Sequence, residues 1–210
     1  MRVAIVDFGV GNIYSVRRAI EHCGGEVEVV STCEQIESHD RLVLPGVGAF
    51  SSGMKELMGR GLDQPIVAHA AAGKPLLGIC LGMQMLVEES HEFGHHKGLG
   101  LVGGSVKPVS AVGADGIPHK IPHVGWERVT ATDHAAESRL LRGMGAGSYF
   151  YFVHSFAVQL TDPKHCIALA SYDGVPIVAV MQSGSIFGCQ FHPEKSGEAG
   201  LALLANFLSI

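Results

Sequence analysis

The sequence predicts an α/β fold: an open, mostly parallel twisted sheet flanked by helices, with antiparallel strands added in the C-terminal half. Three observations carry this. Up to residue 80, short apolar strands alternate with helical stretches, as in parallel sheets covered on both faces. After about residue 148, apolar β-rich runs follow one another closely, with turn signals between them. The 210 residues suit one domain, 1–210, and are enough to bury a substantial core.

The elements follow in order. "RVAIVDF" reads as a buried strand, broken by Gly9 and Gly11. Asn12 stands where it would cap a helix, whose apolar face is Ile13, Val16, Ile20 and Cys23 at helical spacing. Gly24-Gly25 ends that helix. "EVEVV" and "RLVLP" are the next strands. Helices over about 51–58 and 65–72 precede a fourth strand, "PLLGI". Residues 90–125, rich in Gly, His and Pro, read as loops and short strands. "SYFYFVHSFAVQL", "HCIALASY", "VPIVAVMQ" and "SIFGCQFH" read as strands, with hairpin turns at Asp173-Gly174 and Ser183-Gly184. A helix over 197–208 ends the chain.

Composition excludes several classes of function. Apolar residues make up 47% and charged residues 17%, which is globular rather than disordered. A net charge of −5 without a basic run argues against nucleic-acid binding. No signal peptide or run of transmembrane length is visible, so a cytoplasmic location is expected. Five cysteines, an odd number without a CxxC pair, imply reduced thiols.

The chemistry centres on Gly78-Ile79-Cys80-Leu81-Gly82. This G-x-C-x-G is the thiol counterpart of the nucleophile elbow, in which small residues let the chain fold back between strand and helix. The turn would lift Cys80 above the carboxyl edge of the sheet, where open α/β sheets bind ligands. It would also place the thiol at a helix N-terminus. Against this stands a plainer alternative: a free cysteine packed in the core as a small hydrophobe.

A nucleophile needs a base, and the base an orienter. Among twelve histidines the best placed is His192 in "FGCQFHPEKS", at the end of an apolar strand. Glu194 would lie on the same side of an extended segment, and Pro193 favours extension at His192. The carboxylate can fix the imidazole tautomer. Taken alone, H-x-E also fits a surface ion pair. One oxyanion donor would be the backbone N–H of Leu81; a second would come from the glycine-rich loop in "LVLPGVGAF", which otherwise reads as a strand-ending turn.

"LPGVGAF", "GICLGMQML", "PHVGW", "YFVHSF" and "QFHPEKS", in this order, resemble class I (triad-type) glutamine amidotransferases, and the similarity spans essentially the whole chain. "LPGVGAF" with "PHVGW" is most similar to the glutaminase subunits of imidazole glycerol phosphate synthase. The resemblance implies that Cys80 attacks the side-chain amide of glutamine, giving a thioester and ammonia, with His192 as base and acid and Glu194 orienting it. It implies an oxyanion hole at Val47, Gly48 and Leu81, and glutamine contacts from Gly46, Gln84, Ser155 and Phe156. It implies a partner, a cyclase with a (β/α)8 barrel, that receives ammonia through a tunnel. Asn12, Trp126 and Lys195 would face that partner. No cofactor or metal is expected.

Two positions depart from the family pattern. Glu127 stands where Asn usually follows Gly125-Trp126, and is expected to set a charge beside the partner face. Cys189 reads as strand packing. His91, His95 and His96 in "HEFGHHK" lack a second ligand cluster and read as a solvated loop. His123 and His154, inside the motifs, read as structural residues. Other functions compatible with the residues are the glutaminase of another synthase (vitamin B6 or surface-sugar amidation), a silent regulatory module on this fold, and a cysteine peptidase.

Overall fold

The computed structural model describes residues 1–136, 138–144 and 147–210. The first half runs β1 (Arg2–Val6), α1 (Ile13–His22), β2 (Glu26–Val30), α2 (Cys33–Glu37), β3 (Leu42–Gly46), α3 (Phe50–Gly59), α4 (Asp63–Ala71), β4 (Leu76–Cys80) and α5 (Leu81–Met85). There follow β5 (Val87–Ser90), β6 (His96–Lys97), β7 (Val102–Pro108), β8 (His123–Ala131), β9 (Tyr149–His154) and β10 (Phe156–Leu160). The chain closes with β11 (Cys166–Tyr172), β12 (Val175–Ser183), β13 (Ile186–Cys189) and α6 (Gly197–Leu208).

Among the described residues, the main sheet has nine strands in the order β2-β1-β3-β4-β13-β12-β11-β8-β9. The strands from β2 to β13 are parallel, and those from β12 to β9 continue the sheet antiparallel. The expected architecture is present, although its antiparallel wing is as large as a second half-sheet. The sequence reading did not foresee a separate four-stranded sheet, β10-β7-β5-β6.

The unbroken apolar runs of the parallel strands follow from burial on both faces. In β1, Val3 and Ile5 point into one core, with Val16 and Ile20 of α1 and Leu203, Leu204 and Phe207 of α6. Ala4 and Val6 point into the other, with Met54 and Leu57 of α3 and Ile66 of α4. Each fully buried Val, Leu, Ile or Phe contributes about 1.5–3 kcal/mol relative to exposure. Among the described residues no helix is long and apolar enough to cross a membrane.

Several local expectations are corrected. Asn12 occupies the cap position of α1, but its side chain makes no cap hydrogen bond. α2, not foreseen, is started by a capping box in which Thr32 and Gln35 bond each other's backbone N–H groups. The run "SYFYFVHSFAVQL" is two strands rather than one: the chain leaves the main sheet at Ser155 and joins the small sheet as β10. A period-2 pattern cannot reveal a change of sheet, because it shows which residues are buried and not which strand they pair with. The helix after Cys80 is only five residues long, Leu81–Met85, since the chain turns into β5 at Val87.

Candidate active site

β3, β4 and β13 are adjacent and parallel, so their carboxyl ends deliver three loops to one edge of the sheet. From β3 comes the loop containing Gly46, Val47 and Gly48. From β4 comes Cys80, with Gly46 beside it in register. From β13 comes Gln190-Phe191-His192. This is the edge where open α/β sheets bind ligands.

Cys80 ends β4 and caps α5 with φ 53° and ψ −110°, a left-handed conformation that a non-glycine residue rarely holds. Such a conformation costs on the order of 1–3 kcal/mol and persists only where its surroundings enforce it. Here two glycines allow the sharp turn. A Cβ on Gly78 would lie 2.7 Å from the backbone of Gly82 and Met83, and one on Gly82 would collide with the Leu44 carbonyl oxygen. The elbow predicted from G-x-C-x-G is therefore present, and Cys80 is both buried and on a cavity wall.

His192 is held from both sides of its backbone. Its N–H donates to the Tyr151 carbonyl at 3.0 Å, and its carbonyl accepts from the Ser196 hydroxyl at 2.6 Å. Its Nδ1 lies 2.9 Å from Glu194 Oε1. A carboxylate can only accept, so Nδ1 carries the proton and Nε2 is left for the cysteine. Burial alone would depress the His192 pKa, but hydrogen bonding and charge from Cys80 and Glu194 outweigh it and raise the value to about 10. Glu194 is almost fully buried, and its second oxygen has no partner among the described residues, so its charge acts on the imidazole. The pairing is as expected but its geometry differs. Pro193–Lys195 form a turn of 3-10 helix, so Glu194 reaches His192 across a turn rather than along a strand.

Gln84, expected on the helix face near Cys80, is buried. Its Nε2 donates to the Phe156 carbonyl at 2.9 Å and to Gln190 Oε1 at 3.1 Å. Gln190 Nε2 in turn lies 3.7 Å from Cys80 Sγ. With both amide hydrogens engaged, Gln84 has its oxygen free as an acceptor. A cavity of about 620 Å³ opens over these groups, lined by Val47, Gly48, Cys80, Gln84, Ser155 and Phe156 among others. All the expected glutamine contacts but Gly46 line it; Gly46 packs against Leu81, which is also in the wall.

Two residues of this site were not found in the sequence. Gln190 was legible in principle, because it stands two residues before His192 in the segment that follows β13. Glu92 was not. It is buried in the cavity wall and accepts a hydrogen bond from the Phe50 N–H, capping α3 where Ala49 cannot. Nothing local in "HEFGHHK" shows a partner 42 residues away. In that segment His91 and His95 both bond the Glu89 carboxylate, at 3.2 and 2.6 Å, which lowers its pKa. Among the described residues no three His, Cys, Asp or Glu side chains could hold a metal ion. Cys189 is fully buried, and burial raises its thiol pKa well above the ordinary value.

Of the residues expected to face a partner, Trp126 and Lys195 are exposed and share Tyr151 as a neighbour, while Asn12 is half-buried. Trp126 is 52% exposed, its ring 6.0 Å from that of Tyr151, and the Lys195 ammonium lies 5.9 Å from the Tyr151 ring centre. Asn12 lines a narrow cleft with Gly46, Val47, His192 and Glu194. Glu127 is corrected: successive strand residues face opposite ways, so it points away from the face of Trp126, inward to His123.

Comparison with known proteins agrees with this geometry. The family model for class-I glutamine amidotransferases matches residues 4–210. The chain is 50% identical over 210 residues to imidazole glycerol phosphate synthase subunit HisH 1 of Legionella pneumophila (strain Lens), covering 99% of each chain. It is 45% identical to the HisH subunit of Helicobacter hepaticus, covering 100% of this chain and 99% of the relative. PurLQS of Thermotoga maritima shares the fold, with a TM-score of 0.75 at 20% identity over 99% of this chain and 97% of that one. With the family match running from residue 4 to the last residue, the chain belongs to the class-I glutamine amidotransferases.

Proposed function

We propose that the chain is a single-domain, cytoplasmic glutaminase subunit of imidazole glycerol phosphate synthase, and that Cys80, His192 and Glu194 perform its hydrolysis of glutamine. The observation that carries this is the strained Cys80 elbow facing a histidine whose orientation Glu194 fixes, on the wall of a cavity large enough to admit glutamine. With its pKa raised to about 10, His192 holds the Cys80 proton while the sulfur attacks the side-chain carbonyl carbon of glutamine. The tetrahedral oxyanion is met by the Leu81 N–H, which as the first of a helix has no intrahelical acceptor, and by the Val47–Gly48 segment beside it. His192 then passes the proton to the departing nitrogen, releasing ammonia and leaving a glutamyl thioester. Water, deprotonated by His192, attacks that thioester and frees glutamate and the thiol.

The cavity supplies the groups that glutamine needs. The Gln84 oxygen is an acceptor for a substrate N–H, and the Glu92 carboxylate is the anionic group available to the α-ammonium. Ammonia leaves toward a (β/α)8-barrel cyclase docked on the face of Trp126, Tyr151, Lys195 and Asn12. An aromatic ring paired with a cation suits the centre of such an interface.

The test is to mix the purified chain with the cyclase subunit and its ligand and to follow glutamate release. The expected result is a stable heterodimer and strongly increased hydrolysis. Absence of both would sink the assignment to this synthase.

A further inference from the structure

Behind the cavity lies a column of hydrogen bonds that the triad does not use. His123 and His154 are directly opposed on β8 and β9, both buried, with His123 Nδ1 2.9 Å from His154 Nε2. His154 Nδ1 lies 2.9 Å from the Phe156 carbonyl, the same oxygen that receives the Gln84 amide. At the other end, His123 Nε2 lies 3.4 Å from Glu127 Oε1.

The proton positions follow from one fixed point. A carbonyl oxygen can only accept, so His154 Nδ1 must carry hydrogen. A neutral imidazole has one N–H, so His154 Nε2 accepts, and His123 Nδ1 must donate to it. His123 Nε2 is then an acceptor, so its 3.4 Å contact with Glu127 Oε1 is a hydrogen bond only when that oxygen carries the hydrogen. Burial supports the neutral rings, since it is the first cause lowering both histidines to about 4. It also raises the Glu127 carboxyl, with Asp173 adding to the effect, which favours an O–H there. The other groups facing the column are Tyr172, stacked on His123 at 4.0 Å; His119, stacked on Tyr172 and bonded to Asp173; and His192, on the cavity side of His154.

We propose that Glu127, His123 and His154 are positioning residues for the glutamine site: a tautomer-fixed column that holds the Phe156 carbonyl and, through it, the Gln84 amide that meets the substrate. This rests on the reading of the cavity as a glutamine site. The chain of bonds runs on from Gln84 to Gln190 and the Cys80 sulfur, so an error at Glu127 would pass to the substrate contact before it reached the nucleophile.

Two measurements test it. In two-bond ¹H–¹⁵N NMR spectra of the histidine-labelled protein, both His123 and His154 should be in the Nδ1–H tautomer at neutral pH. Finding either ring as Nε2–H or as imidazolium would overturn the column. This readout needs no turnover, so it stands or falls separately from the glutaminase reading. In the complex with the cyclase, Glu127→Gln keeps an N–H donor for His123 and should leave the KM for glutamine within about twofold. Glu127→Leu removes the donor and should raise that KM roughly five- to tenfold, with kcat within about threefold. Equal KM values for the two variants would overturn the positioning role, and the tautomers decide the matter if the Leu variant does not fold.

Discussion

Replacing Cys80 with alanine is expected to reduce glutamine hydrolysis by the cyclase complex by about 10⁴-fold or more, the loss seen when a residue acting as part of a nucleophilic unit is removed. The reason is geometric. Cys80 stands at the junction of β4 and α5, beside the Leu81 N–H and Gly46 and bonded to Gln190, and no second thiol is near enough in useful form. Cys189, one strand away, is wholly enclosed and its thiol is pushed up by burial, so it cannot substitute. The Cβ of alanine keeps the elbow's turn, and the variant should still bind glutamine and the cyclase. The measurement is glutamate release by wild type and variant in the same complex. Turnover within tenfold of wild type would remove Cys80 from the chemistry.

The second large effect is expected at Gly82. A methyl group there has no room, because it would enter the space of the Leu44 carbonyl in β3, a buried backbone atom that cannot turn aside. Gly82→Ala should cost about 3 kcal/mol, the upper part of the range for overpacking. In a chain of this size that lowers Tm by about 6–12 °C. Moving α5 away from β3 also displaces Leu81 and Gln84 relative to Cys80, and a shift near 1 Å is enough to reduce kcat by about 10²-fold. Gly59 is the control. It is a helical glycine with nothing within 4 Å of an added Cβ, so Gly59→Ala should be neutral or stabilise by about 0.5–1 kcal/mol. Thermal unfolding of the two variants separates the steric effect from the general consequence of replacing a glycine.

What could be read in the sequence was what depends on near neighbours. The G-x-C-x-G spacing is a local steric requirement, and the elbow follows from it. The helix over 197–208 and the hairpin at Asp173-Gly174 are likewise local, and both stand where expected. His192 and Glu194 are two residues apart, so their pairing was legible, though the intervening turn was not. The failures concern long-range packing. That Ser155 divides two sheets depends on β7, which pairs with β10, and on β8, which pairs with β9. Glu92 acts on Phe50, and Glu127 turns toward His123 and away from the side of Trp126, because distant strands decide what each side chain meets. The family resemblance implied glutamine contacts at Gln84, Ser155 and Phe156 that their positions in the chain could not suggest, and all three line the cavity. It did not reveal that Gln84 is buried and bonded through both amide hydrogens.

Glutamine is expected to be cleaved through a covalent bond to Cys80, and a quench experiment detects that bond. The complex is mixed with glutamine, stopped in acid within the first turnover, digested, and examined by mass spectrometry. The predicted result is a peptide containing Cys80 that carries one glutamyl group on sulfur, formed before glutamate accumulates and absent in Cys80→Ala. Glutamate produced by the wild type with Cys80 unmodified throughout, or a glutamyl group on another residue, would contradict it.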